Sequence, residues 1–352
     1  MKNSPTHTER ISGALMGAFI GDALGLGPHW YYDLEELQDK YGSWIDNYTD
    51  PKPDHYHAGM KAGQSSQSGI ILRLLVQSLI DQNGYDETKF CQLLDENLFP
   101  LLDGTPEVGP GSYTSQSIRE TYDLRVRKKY SWGDVAGFSD TTESAERTLA
   151  LAIRYAFDPG QLADSISSNT LLFQKDEIVV AMTVAYGATL GLLIQGHSFD
   201  NTISSKLMGQ VKSGELPFHA VSIKKSAPPG AGRFSSPDAL LTPSNIAAAA
   251  VDKNIIIEPA SKVALVFGLP CAVYHQIPAA YYLAARFKDN FELAVLHAIN
   301  GGGQNMSRAM LTGALVGAQT GIQGIPERFI DGLEHAEDIY NLALQLAGDS
   351  AI

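Results

Sequence analysis

Apolar residues recur along this chain at steps of three and four rather than two. Ile11, Leu15, Ala18, Phe19 and Ala23 fall on one face of a helix that Thr6 and Glu9 open as a capping box. Gly27 and Pro28 close that helix near Gly25. Its Gly13, Ala14, Gly17, Ala18 and Gly21 are small enough to let a second helix approach closely. The same spacing, read with capping and breaking residues, predicts helices over 68–82, 86–99, 114–129, 142–157, 159–167, 199–212, 237–251, 259–275, 278–287, 290–298, 304–320 and 326–346. The stretch 178–194 has no charged residue and is at the lower length limit for a bilayer span. Its Thr183, Tyr186, Gly187, Thr189 and Gly191, and its charged entrance at Lys175, Asp176 and Glu177, fit instead a central helix wrapped by others. Only 254–257 reads as a strand-like run. The pattern predicts an all-α fold, a compact bundle of many helices in a single domain over 1–352. The Pro-, Gly- and Ser-rich segment 213–243 is expected to be a long surface loop, because the helices on either side share one composition.

Composition narrows the function classes. At 352 residues and 44% hydrophobic content the chain can bury a large core. The two cysteines, Cys91 and Cys271, are too far apart in sequence and too short of nearby ligands for a disulfide framework or zinc finger, so a reducing cytoplasm is expected. A formal charge of -13 repels a phosphate backbone, which sets nucleic acid aside. Residues 1–10 carry no export signal, and neither they nor 178–194 call for a membrane.

Three polar or glycine-rich turns feed predicted helices, where unpaired N–H groups attract anions. They are Gly63-Gln64-Ser65-Ser66-Gln67-Ser68, Gly137-Phe138-Ser139-Asp140-Thr141-Thr142-Glu143, and Asn300-Gly301-Gly302-Gly303-Gln304-Asn305-Met306-Ser307-Arg308. Each also satisfies the ordinary needs of a capped helix start. Asp22 puts a carboxylate on an otherwise apolar helix and needs a partner there. His55 and His57 stand among prolines and read as loop residues, because no third metal ligand is near. Met306 reads as packing.

Taken in order, these motifs resemble one family. Ile11-Ser12-Gly13-Ala14-Leu15 through Gly21-Asp22-Ala23-Leu24-Gly25 is similar to the opening of the ADP-ribosylglycohydrolases. Gly313-Ala314-Leu315-Val316-Gly317-Ala318, followed by Gly324-Ile325-Pro326, is similar to their close. His29-Trp30-Tyr31-Tyr32-Asp33, His55-Tyr56-His57 and the run from Gly302 to Arg308 resemble the J-crystallin-like branch.

The resemblance implies a bundle with an ADP-ribose site between helix starts. In active members it also implies two magnesium or manganese ions on a Thr-Asp-Asp-Thr and an Asp-Thr-Asp-Thr motif. Here Ser66, Gln67, Ser68 and Gly69 stand at the first motif, and Gln304, Asn305, Met306 and Ser307 at the second. Every aspartate is replaced by a neutral residue, and paired dications need anionic oxygens to offset their repulsion. No cofactor is therefore expected. The expected ligand set for an ADP-ribose or nucleotide-type molecule is Gln64, Ser66, Gln67, Ser68, Gly302, Gly303, Gln304, Asn305, Ser307 and Arg308, with Arg147 beside it. The carboxylates left to act without metals, or with one, are Asp22, Asp140 and Glu143. The resulting expectation is a divergent or inactive member with a ligand pocket. A metal-free or single-metal hydrolase of an N- or O-ribosyl bond, and a structural crystallin-like protein, are the alternatives.

Overall fold

The capping box forms as its residues require. In the computed structural model, which describes residues 4–219, 232–235 and 238–350, the Thr6 hydroxyl accepts from the Glu9 N–H at 3.2 Å. The Glu9 carboxylate returns to the Thr6 N–H at 2.7 Å. The elements then run α1 (His7–Leu26), α2 (Leu34–Tyr41), α3 (Gln67–Asp81), α4 (Glu87–Asn97), α5 (Gln116–Tyr122), α6 (Glu143–Arg147), α7 (Leu149–Arg154), α8 (Pro159–Leu171), α9 (Glu177–Ile194), α10 (Ile203–Ser213), α11 (Asp238–Val251), α12 (Val263–Phe267), α13 (Val273–Arg286), α14 (Phe291–Ile299), α15 (Asn305–Thr320), α16 (Glu327–Asp331) and α17 (Ala336–Ser350). The fold is all-α. The strand pairing among the described residues is a two-residue parallel contact, Phe218–His219 with Phe234–Ser235, and two isolated bridges.

Packing is organised by a seam of small residues. Every residue of α1 from Arg10 to Leu26 is buried, and the helix runs antiparallel to α15 at backbone contact. A Cβ built on Gly13 would lie 2.3 Å from the Gly317 carbonyl oxygen, and one on Gly17 would lie 2.2 Å from that of Gly313. Gly21 meets Ala309 and Gly25 meets Met306 in the same way. The seam therefore brings the C-terminal end of α1 beside the N-terminal end of α15. Helix α9 fills the centre as predicted, long and apolar enough to cross a membrane yet 78% buried among neighbouring helices.

Several predicted boundaries move. Asp33 caps α2, accepting from Glu35 N–H at 2.9 Å, a helix that the apolar spacing alone does not pick out. The helix predicted over 142–157 breaks at Thr148, whose hydroxyl bonds back to the Ser144 carbonyl at 2.7 Å and competes with the ladder. In the region of 259–287, Ala272 pairs with Thr141, so α13 starts at Val273 and runs through Pro278. The helix predicted over 326–346 is interrupted between α16 and α17, where His335 takes φ +60°. Residues 254–257 form no strand; Ile257 N–H donates to the Tyr282 hydroxyl at 2.8 Å. The expected loop over 213–243 is shorter than read, because α11 begins at Asp238. Residues 220–231 and 236–237 lie outside the described residues.

Candidate functional site

The starts of α3, α6 and α15 converge beside the end of α1, and the side chains between them enclose a narrow recess of about 20 Å³, room for about one water molecule. Ser66 caps α3, and Asp22 anchors that cap. One Asp22 oxygen accepts the Ser66 N–H at 2.9 Å and the other the Ser66 hydroxyl at 2.5 Å. Asp22 is buried and absent from the lining of the recess. Burial pushes its carboxyl up to about 7, against the pull of the Ser66 bonds and with the Glu146 charge adding to the rise.

Helix α6 supplies the acids that face the recess. Glu143 and Glu146 stand three residues apart on one helical face and both line it. Burial pushes Glu143 up to about 7, the neighbouring Glu146 carboxylate adds to the rise, and the Thr141 hydroxyl donates to it. Glu146 is 1% exposed; its Oε2 accepts from the Ser68 hydroxyl, and its Oε1 has no hydrogen-bond partner. A buried carboxylate oxygen left unpaired is costly and marks a place where a polar atom of a ligand or water belongs. Sequence reading missed Glu146, although the i, i+3 relation to Glu143 was there to find. Asp140 does not reach the recess: its carboxylate accepts from the Tyr274 hydroxyl at 2.6 Å.

The far wall is a chain of hydrogen bonds through two histidines. His57 Nδ1 faces the Gly111 carbonyl at 2.6 Å and must donate to it. His57 Nε2 and His29 Nδ1 are 2.7 Å apart, and His29 Nε2 lies 3.1 Å from the Gln304 side-chain amide, which contacts the Ser307 hydroxyl at 2.6 Å. Burial holds His57 down at about 4 and His29 well below its ordinary value. With both rings neutral, every link is satisfied when His29 donates to His57 and the Gln304 amide nitrogen turns toward His29. His57 lies in a turn, as read, but is 1% exposed and part of this wall, while His55 donates to the His29 carbonyl at 2.8 Å.

Other expected ligand residues divide by contact. Ser66, Gln67, Ser68 and Gln304 line the recess, and Met306 lines it too. Gln64 instead bonds Glu334 at 3.1 Å and lines a separate hollow beside α17. Gly302 and Gly303, at φ +66° and +59°, lock the turn before α15, with Gly303 N–H donating to the Tyr31 carbonyl at 2.7 Å. Asn305 is fully buried and donates to the Ile299 carbonyl at 3.2 Å.

Arg308 does not point outward. It is fully buried and donates to the Ala298 carbonyl at 2.9 and 3.0 Å, the Gly302 carbonyl at 2.6 Å and the Gln276 side chain at 3.0 Å. Arg147 is likewise held by Asn169 and Ser144, over the Phe173 ring. We expect Arg308→Lys to lose about 3 kcal/mol of unfolding free energy, because a single ammonium cannot reach those carbonyls. A urea midpoint that stays at the wild-type value would show that Arg308 is free for a ligand.

The residues aligned with the two metal motifs of the resembled family are engaged with neighbouring groups. The Gln67 amide is engaged at both ends, by the Thr114 hydroxyl at 3.1 Å and the Ser115 N–H at 3.1 Å. Ser66 donates to Asp22, Ser68 to Glu146, and Gln304 and Ser307 bond each other. What lies between these neutral groups are Glu143 and Glu146, on one side only.

The raised carboxyls have a consequence for stability. Asp22 and Glu143 keep their protons to about 7 when folded but lose them near 3.8 and 4.5 when unfolded, so stability falls as pH rises through that interval. His29 and His57, lowered from 6.5, act in the opposite direction, with stability rising up to that pH. Above 6.5 only the carboxyls remain, so the melting temperature should fall between about pH 6.5 and 7.5. Thermal scans in that window should show a shallower fall for Glu143→Gln; an identical slope would remove Glu143 from this account.

The ADP-ribosylglycohydrolase family model matches residues 3–351. An uncharacterized protein of Archaeoglobus fulgidus is 22% identical over 338 residues, 96% of each chain. Among solved structures, an ADP-ribosylglycohydrolase-related protein complex superposes with a TM-score of 0.62 at 17% identity, covering 98% of this chain and 99% of that one.

Proposed function

Because the chain belongs to the ADP-ribosylglycohydrolase family, we propose that the recess receives a ribosyl compound of ADP-ribose type and cleaves its N- or O-ribosyl bond with protein carboxyls alone. The observation that carries this reading is the α6 pair: Glu143, raised to about 7, beside Glu146 with a buried, unpartnered oxygen. A carboxyl poised near neutrality is suited to proton transfer at ordinary pH. In this scheme protonated Glu143 gives its proton to the departing nitrogen or oxygen as the bond to the ribose breaks. The Glu146 carboxylate stabilises the positive charge developing on the sugar and takes a proton from the water that adds to it. Gln304 and Ser68 supply neutral hydrogen bonds to the sugar, and no step passes through metal ions, for which the donor set is unsuited.

A second reading, binding without turnover, rests on the neutral residues at both aligned motifs, Ser66, Gln67, Ser68 and Gly69 and Gln304, Asn305, Met306 and Ser307. One assay separates the two: release of free ADP-ribose from ADP-ribosylated peptide, with and without a chelator. Turnover that survives the chelator supports hydrolysis by carboxyls. Chelator-sensitive turnover defeats the metal-free scheme, and thermal stabilisation by ADP-ribose without turnover selects the binding reading.

A further inference from the structure

The small volume of the recess has a specific cause. Trp30 sits against Tyr56 at 4.8 Å and Tyr113 at 4.6 Å between ring centroids, both edge to face, and stacks on His29 at 4.7 Å. Tyr56 and Tyr113 close the triangle at 5.4 Å. Trp30 and Tyr113 line the recess, and Tyr56, packed on both, lines the next hollow. Beyond them lies an open hollow of about 520 Å³ lined by Asp54, His55, Tyr56, His57, Glu107 and Ser112, so that His57 belongs to both compartments.

The backbone around this plug is held in an unfavourable conformation. Trp30, His57 and Ser112 are non-glycine residues with φ of +66°, +62° and +51°. For a bulky residue such as tryptophan the left-handed region is a true outlier, and residues kept there cluster at active sites, ligand clamps and switch regions. Trp30 N–H is tied to the Gly303 carbonyl at 3.1 Å, next to the turn that starts α15. The indole N–H itself is buried without a partner, so the closed position leaves one of its own polar groups unsatisfied. Beneath it, Glu146 Oε1 and the Ser115 hydroxyl are unsatisfied as well.

We propose that Trp30, packed with Tyr56, is a gate that swings aside to join the inner recess to the outer hollow, making one cleft of ligand size. The joined space, several hundred Å³, falls in the range that small-molecule sites occupy. Opening relieves the strained backbone and frees the indole N–H to pair; closure is kept by ring packing. The identity of the entering molecule rests on the ribosyl reading above, but the gate does not.

The test uses the whole chain labelled with 5-fluorotryptophan, which reports on Trp30, Trp44 and Trp132, with the Trp30 line assigned from Trp30→Phe. The Trp30 resonance should show microsecond-to-millisecond relaxation dispersion, while Trp132, packed on Phe99 and Phe173, should show none. A Trp30 line free of dispersion overturns the gate. Adding millimolar ADP-ribose should shift that line and quench the dispersion. Dispersion that ADP-ribose leaves untouched upholds the gate and defeats the ribosyl reading. Trp30→Gly accepts the positive φ without strain and removes the plug, so ADP-ribose should associate at least about tenfold faster than with wild type. An unchanged association rate overturns the gate even if the ligand binds.

Discussion

Replacing Glu143 by Gln should lower ribosyl turnover at neutral pH by about 10²–10⁴-fold, the usual contribution of a positioned general acid. The amide keeps the shape and the bond from the Thr141 hydroxyl but carries no transferable proton. In the wild type, kcat/KM should fall as pH rises past about 7, where Glu143 loses its proton, and that limb should vanish in the variant. Glu146→Gln should cost a similar factor, because the unpartnered Oε1 loses its charge. Combining the two should add little, since they serve one proton circuit. Both proteins should stay folded, because Gln keeps the size of Glu and puts no charge beside the other acid. Steady-state rates from pH 5 to 9 for the three variants check this, and full activity in Glu143→Gln would end the carboxyl mechanism.

Gly17→Ala should be among the most damaging single methyls in the molecule. The new Cβ would meet the Gly313 carbonyl oxygen at 2.2 Å, and both partners are backbone of fully buried helices, so no side-chain rotation relieves the clash. The α1 and α15 axes would have to part along the seam that also includes Gly13 with Gly317. Overpacking ordinarily costs about 1–3 kcal/mol where side chains can adjust. Here we expect more than about 4 kcal/mol, enough to leave much of the protein unfolded at 37 °C. Gly209→Ala is the matched control: it lies on exposed α10 with nothing within 4 Å of the added methyl, and should gain up to about 1 kcal/mol from helix propensity. Urea denaturation of the two proteins decides the matter; a Gly17→Ala midpoint near wild type would mean that the helices do not touch as described.

The bundle was readable because its code is local. Thr6 with Glu9, the three-and-four spacing of Ile11 to Ala23, and the uncharged run of α9 each name a helix without reference to the rest of the chain. The glycines at 13, 17 and 21 even announced a close partner, although not which helix it would be. What escaped was set by distant pairing. Ala272 pairing with Thr141 decides where α13 begins, and no spacing within 259–287 encodes it. Arg308 looked like an anion clamp in a glycine-rich turn, yet the carbonyls of Ala298 and Gly302 and the Gln276 amide claim its donors once the turn folds back. His57 is a loop residue as read, but its burial was hidden because its partner, His29, is 28 positions away. Glu146 was legible in principle, one turn past Glu143 on the same face, but only the packing of α6 turns that face into the recess.

The recess joins residues from opposite ends of the chain, His29 meeting Gln304 across 275 positions, and along the same pair of helices Arg10 reaches the Ala318 carbonyl across 308. On the ribosome, α1 therefore emerges long before α15 exists, with its glycine stripe and apolar faces bare. Its docking must be among the last events of biogenesis, and until then no half-made intermediate can hold the recess together. A chain stopped before α15 would leave a sticky helix rather than a looser site, and would be a client for chaperones or proteases.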